Sequence, residues 1–236
     1  HGSEHSFPTR RSSDLTLVTS LGSVMLPRVS NLLSLGNQKA VNKLHEMSFL
    51  VYNLVIFPMI AGILIVNKDF VNFFLGQDFQ DARYAIAIMV FRMFFIGWTN
   101  IMGIQILIPH NKNREFMLST TIPAVFSVGL NLLLIPPLGY IGASIVSVAT
   151  EGLVWLIQLY FTRSYLKEVK IFPSMLKILL AALLMYGALY SAQAFMHFSS
   201  VVNVLIYSLL GFLVYGGLVL VLRVLDFQEL KSVLKK

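Results

Sequence analysis

The chain contains no cysteine, which excludes disulfides and thiolate metal sites. Charge is scarce. Asp, Glu, Lys and Arg make up 12% of the 236 residues, about half the share of a soluble domain. No glycine-rich loop ending in Lys-Ser/Thr is present, so the chain has no P-loop for ATP. His45, His110 and His197 stand singly at the ends of apolar stretches, with no second ligand at a metal-binding spacing. No nucleophile–base set is present, and the connections between apolar stretches are too short for a catalytic domain.

What fills the chain instead is hydrocarbon. Hydrophobic residues are 56% of it and the mean hydropathy is +0.75. Six complete apolar stretches run over Met47–Val66, Tyr84–Ile108, Met117–Ile135, Tyr140–Phe161, Met175–Phe195 and Val201–Leu222. About twenty residues at 1.5 Å rise cross the ~30 Å hydrocarbon layer. A seventh stretch, Thr16–Leu26, is too short to cross and reads as the clipped end of a helix. Before it, Ser6 to Leu15 resembles the translation of a sequencing-library adapter, so residues 1–15 are read as non-native. The expectation is an all-α integral membrane protein with about seven helices over residues 16–222 and an interfacial tail over 223–236.

The net charge of +7 is a matter of topology and calls for no nucleic acid. Thirteen basic residues fall in alternate connections and the tail, among them Arg28, Lys39, Lys43, Lys112, Arg114, Arg163, Lys167 and Lys170. The other connections hold only Lys68 and Arg83, with Asp69, Asp78 and Asp81 beside them. By the positive-inside rule the basic side, with the C-terminus, is cytoplasmic. Gly36–Glu46 reads as a short polar helix joining the first two stretches. Val224, Phe227, Leu230 and Leu234 recur at helical spacing, as on a helix lying among membrane lipid headgroups.

Two ionisable residues lie deep in the stretches, Arg92 and Glu151. Each costs about 2.5–3.5 kcal/mol if it faces lipid, so each must face the interior or a wet cavity. Ala143, Ser147, Glu151 and Gln158 form one small and polar stripe, and Arg92, Thr99 and Gly103 share a face. Two readings stay open. Arg92 offers a positive point for an anionic substrate group while Glu151 takes H⁺ or Na⁺ or orients Arg92, or the two pair as buried glue. Asn100, Asn131, Asn53 and Gln105 are weaker candidates that interhelical hydrogen bonding explains.

The order of local patterns carries a resemblance. Leu26-Pro27-Arg28-Val29-Ser30 comes first, then Phe73-Phe74-Leu75-Gly76-Gln77-Asp78-Phe79. Asn100, Gln105-Ile106-Leu107-Ile108-Pro109 and Lys112 follow, then Asn131-Leu132-Leu133-Leu134-Ile135-Pro136, Leu138-Gly139-Tyr140-Ile141-Gly142-Ala143 and Glu151. This series resembles the C-terminal half of the multidrug/oligosaccharidyl-lipid/polysaccharide (MOP) flippase superfamily, nearest to its Wzx-type repeat-unit flippases. The resemblance implies the second bundle of a transporter with about fourteen helices in two pseudo-symmetric halves. It also implies alternating-access flipping of undecaprenyl-pyrophosphate-linked oligosaccharide across the bacterial cytoplasmic membrane. No cofactor beyond a coupling H⁺ or Na⁺ follows from it; a polysaccharide polymerase and chain-length machinery are the implied partners. Arg92 then becomes a pyrophosphate or acidic-sugar contact and Arg28 a contact at the cytoplasmic gate. The alternatives are a multidrug or cation antiporter of the same superfamily, a membrane-embedded polymerase or acyltransferase, and a purely structural scaffold. On this resemblance, purified residues 16–236 in vesicles do not flip lipid-linked glycan, and vectorial transport by them would contradict it.

Overall fold

A computed structural model describes residues 16–195 and 198–224, with side chains from Met25 onward. Among the described residues there is no strand. The elements are α1 (Thr16–Ser34), α2 (Gln38–Phe74), a 3₁₀ turn (Gln77–Phe79), α3 (Ala82–Asn100), α4 (Asn113–Leu166), α5 (Phe172–Gln193) and α6 (Ser200–Val221). A π-helical segment, Ile101–Leu107, continues α3 without a break. Among the described residues five helices are long and apolar enough to cross a bilayer: α2, α3 with its π extension, α4, α5 and α6.

That number differs from the expected seven for two reasons. The helix α1 is not among the five. The stretches Met117–Ile135 and Tyr140–Phe161 are both part of α4, which is 54 residues long and would reach about 80 Å if straight. It is not straight. Gly139 leaves the helical region at φ 53° and ψ −131°, a conformation that side chains resist. Beyond it Gly142 lies against the carbonyl of Leu134, although residues eight apart in a straight helix are separated by about 12 Å. Gln158 Nε2 donates to Ser119 Oγ at 3.2 Å. Both contacts pair positions nearly equally far from the break, so α4 folds back into two antiparallel arms, residues 113–138 and 140–166. Pro136 and Pro137 stand in the last turn of the first arm, where the expected stretch ends, just before the reversal.

Two further expectations need correction. Gly36–Glu46 is not a separate helix. Gly36 turns the chain at φ 67°, the Asn37 side chain accepts from the Ala40 N–H at 3.1 Å, and α2 then runs unbroken through Pro58 to Phe74. Likewise the first stretch does not close at Pro27, because α1 continues to Ser34. The packing of Val29 on Val41 and Leu44 supports those last turns against the hydrogen bond that proline removes. The expectations for residues 1–15, for His197 and for the tail beyond Val224 lie outside the described residues.

The helix α2 sits at the centre, against α3, α5 and α6, while α3 packs on α4. One core joins Phe49, Tyr52 and Ile56 to Trp98, Met102 and Ile106. A second joins Ala61 and Ile65 to Ile178, Met185, Tyr207 and Tyr215. Leu132, Leu133, Leu205 and Phe212 point outward and are exposed, an apolar exterior that a water-soluble monomer would not carry. Asn42 Nδ2 donates to Glu168 at 2.9 Å and the Lys170 N–H to Glu46 at 2.9 Å, at the end where the basic connections gather. At the opposite end Asn67 Nδ2 donates to the Arg83 carbonyl at 2.7 Å and Asn203 Nδ2 to Asp69 at 3.3 Å.

The reversal in α4 can be tested. Gly142→Ala drives a methyl group into the Leu134 carbonyl and is expected to cost about 1–3 kcal/mol, read as a lower melting temperature in detergent. Gly129→Ala, where nothing lies within 4 Å, is expected to cost nothing. Equal melting of both variants would contradict the folded-back helix.

Candidate functional site

The site is built by two helices lying side by side in the same direction. Tyr140 donates to the Asp81 carbonyl at 3.4 Å, Arg92 meets Glu151, Phe95 touches Gly152, and Trp98 packs on Trp155 at 6.2 Å between ring centroids. The partners keep an almost constant offset along the chain, as parallel neighbours must. A Cβ at Gly152 would meet the Phe95 ring at 3.7 Å, an ordinary packing contact.

At the middle of this pair of helices, Arg92 Nη2 donates to Glu151 Oε1 at 2.9 Å and Arg92 Nε to the same oxygen at 3.3 Å. The side chains are 38% and 21% exposed, so the pair is partly open to what surrounds these helices. The two deep charges of the sequence thus neutralise each other across two helices. Such a pair is worth more than a solvated one, because charge-assisted bonds strengthen as water is excluded. A guanidinium is also the side chain best shaped to grip carboxylate or phosphate oxygens through parallel donors.

The other candidates fall elsewhere. Asn100 lines a crevice of about 40 Å³ with Met25, Ser48, Tyr52, Gly97 and Gln105, between α1, α2 and the π segment. Arg28 is exposed on α1 and Asn131 half-buried on the first arm of α4; neither bonds to the pair among the described residues. The stripe of α4 does face inward: Glu151 reaches Arg92, and Gln158 is buried beside Ser119 and Gly103.

In a polar knot beside the crevice Asn53 and Gln105 make interhelical hydrogen bonds, as expected of them, while Ser48 and His45 went unread in the sequence. Ser48 Oγ donates to Gln105 Oε1 at 2.7 Å, and Trp98 Nε1 donates to Asn53 Oδ1 at 2.9 Å. His45 Nε2 bonds to the Gln105 carbonyl at 3.1 Å; a carbonyl only accepts, so Nε2 carries the proton. His45 is therefore not an isolated interfacial histidine, being 1% exposed. Pro109 explains the bond: four residues after Gln105 it has no N–H to give that carbonyl, and the His110 N–H goes to Ile106 instead. The spacing of His45, Ser48 and Tyr52 on one helical face was the available signal.

Comparison with known proteins gives a consistent picture. The family model described as "Lipid II flippase MurJ" matches residues 16–212. An uncharacterized membrane protein of Methanocaldococcus jannaschii is 24% identical over 92% of this chain and 42% of its own length. "Probable low-salt glycan biosynthesis flippase Agl15" of Haloferax volcanii is 21% identical over 91% of this chain and 45% of its own. A protein of Escherichia coli K12 named as a candidate O-antigen transporter is 29% identical over 63% and 35%. The chain thus spans less than half the length of the curated relatives it matches. No solved structure matches it.

The pairing makes a thermodynamic forecast. Arg92→Leu and Glu151→Leu each strand one charge, whereas the double variant strands none. The double-mutant cycle is expected to give a coupling of about 1 kcal/mol or more, above the range of freely exposed pairs. Strictly additive losses would contradict a formed pair.

Proposed function

Because the chain belongs to the lipid II flippase MurJ family, we propose that it acts in moving lipid-linked glycan across a membrane. Such a flippase breaks no covalent bond, so the residues that matter bind and orient. The finer reading is alternating-access flipping of undecaprenyl-pyrophosphate-linked repeat units for capsule, O-antigen or exopolysaccharide synthesis. It sets the protein in the bacterial cytoplasmic membrane with its basic ends and C-terminus inside, beside a polymerase and chain-length machinery.

One observation carries the reading: Arg92 stands in mid-span, bonded to Glu151, at a site still 38% exposed. Moving a pyrophosphate through hydrocarbon requires a positive charge, because an unpaired anion there is prohibitively costly. Arg92 meets that requirement at the depth where it is needed. Asn100 adds a hydrogen-bonding group for sugar hydroxyls, while Arg28 stands at the basic end as a gate contact. Asn131 would line the cavity from the first arm of α4. The names of the glycan-flippase and O-antigen relatives agree with this substrate class. A cation exporter would need an acidic group open to its cargo, and at Glu151 a cationic cargo would have to compete with the Arg92 guanidinium on the same carboxylate.

Deleting the gene in its host is expected to leave lipid-linked glycan precursors on the cytoplasmic face, measured by their protection from externally added glycan-modifying enzymes. Arg92→Leu is expected to reproduce the defect at normal protein levels. Unchanged export with hypersensitivity to cationic drugs would overturn the reading in favour of the exporter.

A further inference from the structure

Arg92 commits two donors, Nε and Nη2, to a single oxygen of Glu151. Its remaining N–H groups and Glu151 Oε2 take no protein partner among the described residues. The pair therefore presents a half-used guanidinium and a half-used carboxylate at a partly open site. A phosphoryl oxygen arriving at Arg92 would come within a few ångströms of the Glu151 carboxylate, and one positive charge cannot neutralise two anions where water is scarce. Like charges that close disfavour each other's ionised form strongly.

We propose that Glu151 is an internal stand-in for the substrate's oxyanion, occupying Arg92 in the empty protein and giving it up when a pyrophosphate group binds. This rests on the reading of Arg92 as an anion contact and adds a regulation to it. Glu151 keeps the guanidinium neutralised and out of lipid while the site is empty, and capture of substrate opens the link between α3 and the second arm of α4. Binding is thereby coupled to loosening of two helices otherwise held by that bond and by the Phe95, Trp98 and Trp155 rings.

The two tryptophans of the chain, Trp98 and Trp155, lie within two helical turns of the pair, so their fluorescence reports on it. The full chain in lipid nanodiscs is titrated with farnesyl pyrophosphate and with inorganic pyrophosphate. Glu151→Gln, which keeps the shape and removes the competing charge, is expected to tighten binding about tenfold, and Arg92→Gln to weaken it at least as much. Unchanged or weaker binding in Glu151→Gln overturns the stand-in, since a carboxylate that merely orients Arg92 can only help binding. If Glu151→Gln does not fold, Glu151→Asp, whose shorter stem loosens the pair, is expected to show a smaller gain, and a loss there is equally fatal. Tighter binding of farnesyl pyrophosphate than of inorganic pyrophosphate supports a lipid-borne ligand; equal binding overturns that assignment. Binding that Arg92→Gln leaves untouched counts against the flippase reading itself, whereas Arg92-dependent binding indifferent to Glu151→Gln removes only the exchange.

Discussion

A guanidinium in the middle of a membrane helix has to be answered from another helix, and the answer in this protein is one carboxylate oxygen. The bond between Arg92 and Glu151 fixes the register of α3 against the second arm of α4, and the contacts above and below it follow. Phe95 then packs beside Gly152 and Trp98 against Trp155. Were the register shifted by one residue, the charge would turn by about 100° toward lipid or rings. The apolar packing on either side tolerates many arrangements; the charge tolerates few.

The second arm can stand beside α3 only because α4 folds back at Gly139. That reversal places Ser119 opposite Gln158 and returns the chain to the basic end, where Glu168 meets Asn42. Below the ion pair the interior turns polar, with Asn53, Ser48, Gln105 and His45 joined between α2 and the end of α3. Pro109, just past the π segment, leaves the Gln105 carbonyl without a backbone donor and so gives His45 its acceptor. Interhelical bonds of this kind hold helices together where lipid offers no hydrophobic drive for association. The outer faces carry leucine, valine and phenylalanine, as lipid demands.

Membrane-crossing helices were legible from composition, because twenty apolar residues in a row have few other uses. The inward faces of Arg92, Glu151 and Gln158 were legible as well, since a charge or amide in such a stretch has only one tolerable direction. That Arg92 and Glu151 meet was one of two open readings, as spacing within each helix says nothing about register between helices. The end of the first arm of α4 was legible too, because Pro136 and Pro137 stand in its last turn, while the tightness of the reversal at Gly139 was not. The burial of His45 was hidden because α2 extends two turns beyond its apolar part. A π turn leaves no compositional mark at all.

The central claim is that Arg92 is neutralised by Glu151 within the protein rather than by lipid. Solid-state NMR on the chain in bilayers, with ¹⁵N-labelled arginine side chains and ¹³C-labelled glutamate carboxyls, measures this contact. The account predicts a strong dipolar coupling between the Arg92 guanidinium and the Glu151 carboxyl carbon, abolished in Glu151→Gln. A guanidinium coupled instead to lipid phosphorus, with no glutamate partner, would contradict it.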